Sequence, residues 1–355
     1  MVDYLAPAQE MGVRFPPCPC FINLNFKMTL DLEFEKLERE LKKRKPKKVL
    51  VQLPEGIKIH ALEVAEKIQK LGIKVVFSGN TCWGGCSADP QEAKLVEADL
   101  IVHFGHAPFY EVNFPIIYVE IKDKINLIPL LKKSLSKIEK YKKIGIAYSV
   151  QHRHDLEKIK TFYEKNKKKI ILPKKVGRAF YPGHVVGCEY GGLKLIQDQV
   201  DCFIIIGNRF HSLGASLAVK KPVFLLDVYN NEVSNMELFK EKIIKERIIS
   251  IEKAKKAKVF GILIEVKPGQ KFGNPDFLLE KFEDKGKKAI LILMNEITPE
   301  KLMNFYHVDA FVELACPRIA VDDYAKYEKP ILTYREALVI LEEKSIEELI
   351  EKGFV

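Results

Sequence analysis

Three of the seven cysteines stand where loops would leave the ends of short apolar strands: Cys86 in GNTCWGGCSAD, Cys188 in YPGHVVGCEYGG and Cys316 in ELACPRIAVDD. A thiolate is a soft metal ligand, and an odd number of cysteines at irregular spacing reads better as metal binding plus buried thiols than as a disulfide framework. One cysteine at a strand end is usually a small buried hydrophobe. Three at related ends point instead to one shared metal centre. Cys202 serves as a control, because it lies inside the apolar run DCFIIIG and is expected in the core. Cys82 competes for the role of ligand. Cys82 and Cys86 form C-x3-C, which is half of a zinc site, yet no second close pair follows, and Asp89 stands where a C-x3-C-x2-C motif would need its third cysteine.

Three thiolates suit a 4Fe-4S cluster, since each fixes one iron and the fourth iron is left open to a substrate. Such clusters reach potentials low enough for difficult one-electron chemistry. Glycines surround the first two cysteines (Gly79, Gly84 and Gly85, then Gly183, Gly187, Gly191 and Gly192) and either let backbone approach a bulky ligand or serve tight turns. Around them lie further polar candidates. His103 and His106 sit in HFGHAP at a strand end, with His106 favoured because it is further into the loop. Arg209 and His211 precede a helix expected from about Ser212, whose free N–H groups would suit a carboxylate. Arg318 either binds a carboxylate bidentately or pairs with Asp322 or Asp323. Gln52 and Glu55, at the end of the first strand, either touch a cofactor or shape the turn Pro54-Glu55-Gly56.

Elements that could position these groups recur three times. A strand opens each segment, at Lys48 to Leu53, Ile144 to Tyr148 and Val259 to Glu265. A helical pattern follows, then a second strand at Lys74 to Phe77, Lys175 to Phe180 and Lys288 to Met294. Each segment ends alike: an Asp (Asp99, Asp201, Asp309), an apolar strand, a polar loop, and a Pro (Pro115, Pro222, Pro330) before another short strand. The βαβ order implies parallel sheets, with ligands expected beyond the carboxyl ends of the strands. The expected fold is therefore α/β, as three similar small parallel-sheet domains arising by internal triplication, with the metal centre at their junction. Their expected bounds are 28–140, 141–250 and 251–345, after an irregular N-terminal arm (1–27) and before a C-terminal tail (346–355). Leu30 to Leu41 reads as an amphipathic helix, and Met28 just before it as a natural start of the folded part.

A chain of 355 residues with 47% hydrophobic and 30% charged residues has the composition of a soluble, multidomain protein. The net charge of +10 comes largely from lysine clusters such as Lys42 to Lys48 and Lys167 to Lys169. They are read as solvated faces, with steering of an anionic partner as the second reading. The longest apolar stretches, such as Cys202 to Ile206, fall far below the run of roughly 18 residues that spans a bilayer. The N-terminus lacks the basic start and apolar region of a secretory signal, so a cytoplasmic location is expected.

Taken together, QLPEG (52–56), the GGC at 84–86, HFGHAP (103–108), GCEYGG (187–192), GNRFHSLGA (207–215) and ACPRIAVDDY (315–324) resemble one family, the first enzyme of diphthamide biosynthesis in its archaeal homodimeric form. The resemblance covers residues 28 to 345. It implies a 4Fe-4S cluster bound by Cys86, Cys188 and Cys316, with S-adenosyl-L-methionine held at the open iron. It further implies reductive cleavage to methylthioadenosine and a 3-amino-3-carboxypropyl radical, which attacks carbon 2 of a histidine imidazole in translation elongation factor 2. An electron donor and a homodimer follow from the same resemblance, with no direct nucleic-acid role. Two departures stand out, the extra thiol Cys82 and Ser87 where an Asp often follows the ligand cysteine. Two rival readings remain: a binding protein with structural zinc at Cys82, Cys86 and two other ligands, and a redox carrier with a labile cluster.

Overall fold

The computed structural model describes residues 30–354. The expected N-terminal arm, Met28, Cys18 and Cys20 lie outside them. Strand β1 (Leu30–Asp31) starts the chain, and the helix expected from Leu30 begins only at Phe34, running Phe34–Arg44. The reason is that Leu30 and Asp31 are spent pairing antiparallel with a later two-residue strand.

The first sheet holds β2 (Lys48–Gln52), β3 (Lys74–Phe77), β4 (Leu100–Phe104) and β5 (Ile116–Val119), all parallel, in the order β3-β2-β4-β5. Strand β6 (Lys122–Asp123) is the partner of β1. The second sheet is built from β7 (Lys143–Tyr148), β8 (Lys169–Ile171), β9 (Cys202–Gly207), β10 (Val223–Asp227) and an antiparallel edge strand β11 (Glu232–Asn235), ordered β11-β10-β9-β7-β8. The third comprises β12 (Val259–Glu265), β13 (Lys288–Met294), β14 (Ala310–Glu313) and β15 (Ile331–Thr333), ordered β13-β12-β14-β15. Every residue of β4 and β9 is buried. Apolar runs of this kind, broken in β4 only by His103, are what parallel strands covered on both faces require.

The repeated Asp and Pro have the same structural work in each sheet. One carboxylate oxygen of Asp99 accepts from the Lys47 and Lys48 amides at 2.7 and 2.9 Å. Asp201 does so from Lys142 and Lys143 at 2.7 and 2.8 Å, and Asp309 from Lys258 and Val259, both at 2.9 Å. Each thus ties the start of the sheet's third strand to the start of its first. The Pro115, Pro222 and Pro330 carbonyls likewise accept from Ile101, Phe203 and Phe311, one fourth-strand lead joining one third strand. These bonds to backbone N–H groups hold all three carboxyls below the ordinary aspartate value. A depressed folded pKa contributes stability above the unfolded pKa and loses it as pH falls through the folded one. The Asp201→Asn variant, which cannot titrate there, is expected to show a flatter loss of stability between roughly pH 5 and pH 2. Urea midpoints across that range would show it, and parallel curves for the two proteins would deny the clamp its role.

One strand position is corrected. The second strand of the second sheet is Lys169–Ile171, not Lys175 to Phe180. After the helix Leu156–Lys165 the chain turns sharply, with Lys167 at φ 60, and enters the sheet at once in the register Lys143↔Lys169. The matching pair in the first sheet is Lys48↔Lys74. Residues 172–190 are thereby released as a long loop. Within the C-terminal segment, helix Ile346–Lys352 starts on a reciprocal cap between Ser345 and Glu348 and buries Leu349, with Phe354 buried just beyond.

The first sheet has an apolar cluster of its own, around Val49, Val51, Leu100 and Val102. The second and third share one. Ala147, Phe203 and Ile205 belong to the same continuous cluster as Phe260, Ile262, Ala310 and Val312, with Ile251 of helix Glu237–Lys255 among them. The opposite face of the second sheet, including Ile144, Ile146 and Cys202, packs under Leu130 and Leu131 of helix Ile128–Lys137.

Candidate metal centre

Cys86 lies in a short turn, Gly85–Ser87, after β3. Its hold is local, since the Ser87 amide donates to the Gly84 carbonyl at 2.9 Å and the Trp83 amide to the Ser87 hydroxyl at 3.2 Å. The loop after β12 lies directly over it. A Cβ on Gly269 would stand 2.5 Å from the Cys86 Cα, so only glycine fits, and the next residue, Gln270, donates from Nε2 to the Cys86 Sγ at 3.5 Å. Lys267 of the same loop pairs with Glu265 at 2.8 Å and reaches Thr81 at 3.3 Å. The third sheet thus holds the cysteine loop of the first.

Cys188 belongs to the long loop after β8, and Cys316 follows β14 as the residue capping helix Pro317–Asp322. Glu313, at the end of β14, accepts from the Ala315 and Cys316 amides at 3.0 and 2.9 Å, which fixes the turn that presents the thiol. Arg318 braces the two loops. It forms a bidentate pair with Asp322, one arm of it at 2.6 Å, extends Nη1 to the Tyr190 hydroxyl at 3.4 Å and the Gly187 carbonyl at 3.5 Å, and lies 4.3 Å over the Phe210 ring.

As residues the three are partly exposed, whereas Cys82 and Cys202 are buried. They feel one another. Burial, then the nearby Cys86 sulfur, pushes the Cys188 thiol up to about 12. Burial and then Cys188 hold Cys316 well above the usual thiol value, and burial raises Cys86 while Gln270 and Ser87 pull against it. Three neighbouring thiols that desolvation makes costly to ionise become favourable as thiolates only beside a compensating positive centre. Among the described residues, they do not form a set tight enough for a single ion. Three soft thiols on loops from three sheets are the donor type and number that a 4Fe-4S cluster takes with one iron left open, so the chemistry of the donor set fits a cluster.

The other expected residues divide. Gln52 donates from Nε2 to the Ser87 carbonyl at 3.3 Å and to Glu92 at 3.1 Å, and its Oε1 meets His103 Nδ1 at 3.0 Å. It shapes the cysteine loop from behind. His103 Nε2 lies 3.0 Å from His106 Nδ1 and 3.9 Å from the Cys82 Sγ. Burial pushes His106 and His184 down to about 4 and His211 to about 3, each also near another of these imidazoles or an arginine, so these rings are neutral at pH 7. His211 and Arg209 do not precede a helix: Arg209–Ala218 already includes both, because Asn208 caps it by accepting from the His211 amide at 3.3 Å. Arg209 is exposed and stacks on Phe239, and Glu55 is exposed and pairs with Lys58 at 2.8 Å, so neither is brought to the thiols. The glycines mostly pack against protein, as at Gly187 against Phe210, and of those named only Gly84 faces one of the three thiols, 3.3 Å from its Cβ position to the Cys86 Sγ. Gln270 was missed in the sequence. The signal was its place, VKPGQ after β12 answering QLPEG after β2.

Fold and site together define an α/β protein of three mainly parallel sheets, each of which carries one of three neighbouring thiols on a loop beyond its strands. A sequence profile described as "Putative diphthamide synthesis protein" matches residues 53–350, and the chain belongs to that family. It is 32% identical over 319 residues to the 2-(3-amino-3-carboxypropyl)histidine synthase of Pyrococcus horikoshii, covering 88% of this chain and 92% of that protein. Identity to subunit 1 of the same-named synthase of Saccharomyces cerevisiae is 28% over 320 residues, with 88% and 75% covered. A crystal structure of Dph2 from Pyrococcus horikoshii with a 4Fe-4S cluster superimposes with a TM-score of 0.81 at 30% identity, covering 89% of this chain and 92% of that one.

Proposed function

We propose that this protein is a 3-amino-3-carboxypropyl transferase, a 2-(3-amino-3-carboxypropyl)histidine synthase acting in the first step of diphthamide biosynthesis. The observation that supports the reading is that Cys86, Cys188 and Cys316, on loops from three separate sheets, lie near enough to raise one another's thiols. In this reading the three cysteines hold a 4Fe-4S cluster, and S-adenosyl-L-methionine is the co-substrate. When bound, the cluster supplies the single electron that breaks the bond from sulfur to the γ-carbon, giving methylthioadenosine and a 3-amino-3-carboxypropyl radical. The acceptor is carbon 2 of a histidine imidazole in translation elongation factor 2.

The chain's own residues supply position. Gln270 directs an N–H at the Cys86 sulfur, and such hydrogen bonds tune a cluster's potential. Arg318 keeps the Cys188 and Cys316 loops together, with its charge already answered by Asp322. His211 is the expected imidazole contact to the co-substrate, and Gln52 and His106 act through His103, which each meets at 3.0 Å. Glu55 and Arg209, expected at the cofactor, face outward and are engaged by Lys58 and Phe239. An internal triplication is supported by the common strand order and by the three Asp and three Pro bonds, with domain bounds near 28–140, 141–250 and 251–345. A homodimer, a cytoplasmic location and an external electron donor complete the reading; among the described residues no helix is long and apolar enough to cross a membrane.

Anaerobically purified protein should be brown and, given dithionite and S-adenosyl-L-methionine, should form methylthioadenosine and modify the elongation factor. Deoxyadenosine as the main product would overturn the proposed bond cleavage. One bound zinc without iron would favour a structural metal instead.

A further inference from the structure

We infer that Cys82, His103 and His106 form a second metal site, for one divalent ion of the zinc class, built within the first sheet and separate from the three-cysteine crevice. It neither uses nor requires the cluster reading. The three donor atoms all lie within 4.8 Å of one another, with Cys82 Sγ to His103 Nε2 at 3.9 Å and His103 Nε2 to His106 Nδ1 at 3.0 Å. Zinc bonds of about 2.3 Å to sulfur and about 2.05 Å to nitrogen, at tetrahedral angles, set these two edges at about 3.6 and 3.3 Å. Seating the ion therefore closes the first edge and opens the second by about 0.3 Å each, and brings the third, Cys82 to His106, from its present separation within 4.8 Å to about 3.6 Å.

The surroundings fix the donor atoms. Both roles of the Gln52 amide nitrogen are spent on the Ser87 carbonyl and Glu92, so its Oε1 must accept, and His103 Nδ1 must donate. That tautomer turns the lone pair of His103 Nε2 toward Cys82 and His106. A histidine whose other nitrogen is held in this way is the usual form of an imidazole ligand. Without an ion, the short approach between the two imidazoles is a hydrogen bond. Binding sends the Cys82 thiol proton to solvent and moves the His106 proton to Nε2, leaving a thiolate and two neutral donors. Three protein ligands leave a fourth position for water. Because Cys82 shares its loop with Cys86, an ion here ties the loop of a cluster ligand to the end of β4.

The test is metal analysis and zinc-edge X-ray absorption on anaerobically purified holoenzyme after exposure to zinc chloride and removal of free ion. About one zinc per chain beyond the cluster iron is expected, with one sulfur and otherwise light atoms around it. Cys82→Ser and His106→Gln, on two different elements, should each lower retained zinc about tenfold or more while cluster iron is unchanged. Holoenzyme that retains no zinc, zinc surrounded by three sulfurs, or zinc kept in either variant would each overturn the site. Loss of cluster activity with the zinc signature intact would count against the transferase reading and not against this one.

Discussion

Replacing Cys86, Cys188 or Cys316 singly by alanine is expected to remove most of the iron and the colour, and to bring methylthioadenosine formation down to background. A cluster held by only three thiols has no spare protein ligand, and the crevice offers each loop its own support: Gln270 and Gly269 over Cys86, Glu313 beneath Cys316, and Arg318 between the loops of Cys316 and Cys188. The loss should therefore be of metal and not of fold. Far-ultraviolet circular dichroism is expected to stay native in all three. Cys202→Ala is the opposite case. That thiol is buried within β9, where burial pushes it up to about 12, and it packs with Ile144 and Ile146. Its loss should leave iron per chain unchanged and cost about 1 to 2 kcal/mol of stability as a small cavity. Cys82→Ala should also retain the cluster iron. Equal iron loss in all five variants would sink the division between ligands and the rest.

What the sequence disclosed of this arrangement follows from how far each cause reaches along the chain. The Asp and Pro that punctuate each unit act on backbone atoms, so their meaning survives in the one-dimensional pattern, and the strands they tie were placed correctly. Lys175 to Phe180 misled because an apolar, β-prone stretch carries no record of whether the previous turn has already delivered a strand. Register decided it, and register is a property of two segments. The shared core of the second and third sheets was hidden for the same reason: Phe203 and Phe260 read alike whether they face one cluster or two. The placement of the three cysteines beyond strand ends was legible because ligand-facing loops in parallel sheets follow the carboxyl ends of strands. The approach of Cys82 to His103, 21 residues apart, depends on how one loop folds back, and no spacing announces it.

The largest stability effect should come from a residue that has no part in the chemistry. Arg247 sits in helix Glu237–Lys255, whose sequence is rich in lysine and glutamate and reads as a solvated face, yet Arg247 and Glu336 are both fully buried. Every arm of the guanidinium is used. Nε and Nη2 each meet the Glu336 carboxylate at 2.7 Å, and the Ala320 and Ile331 carbonyls accept at 2.7 Å. Glu336 in turn accepts from the Thr333 amide at 2.8 Å, closing the cap of the helix that follows β15. Arg247→Met would strand a buried carboxylate and two carbonyls together, at a cost of about 3 to 5 kcal/mol, because a lone buried charge loses its partner without regaining water. Urea unfolding of the apoprotein should report that loss. Arg247→Met combined with Glu336→Leu should recover part of it, since a pair removed whole leaves no uncompensated charge. Ala320 belongs to the helix that Cys316 caps, so Arg247→Met should also shorten the time for which reconstituted protein keeps its iron. A single variant that costs less than about 1 kcal/mol would mean that water reaches Glu336 and that the third sheet is held by its apolar core alone.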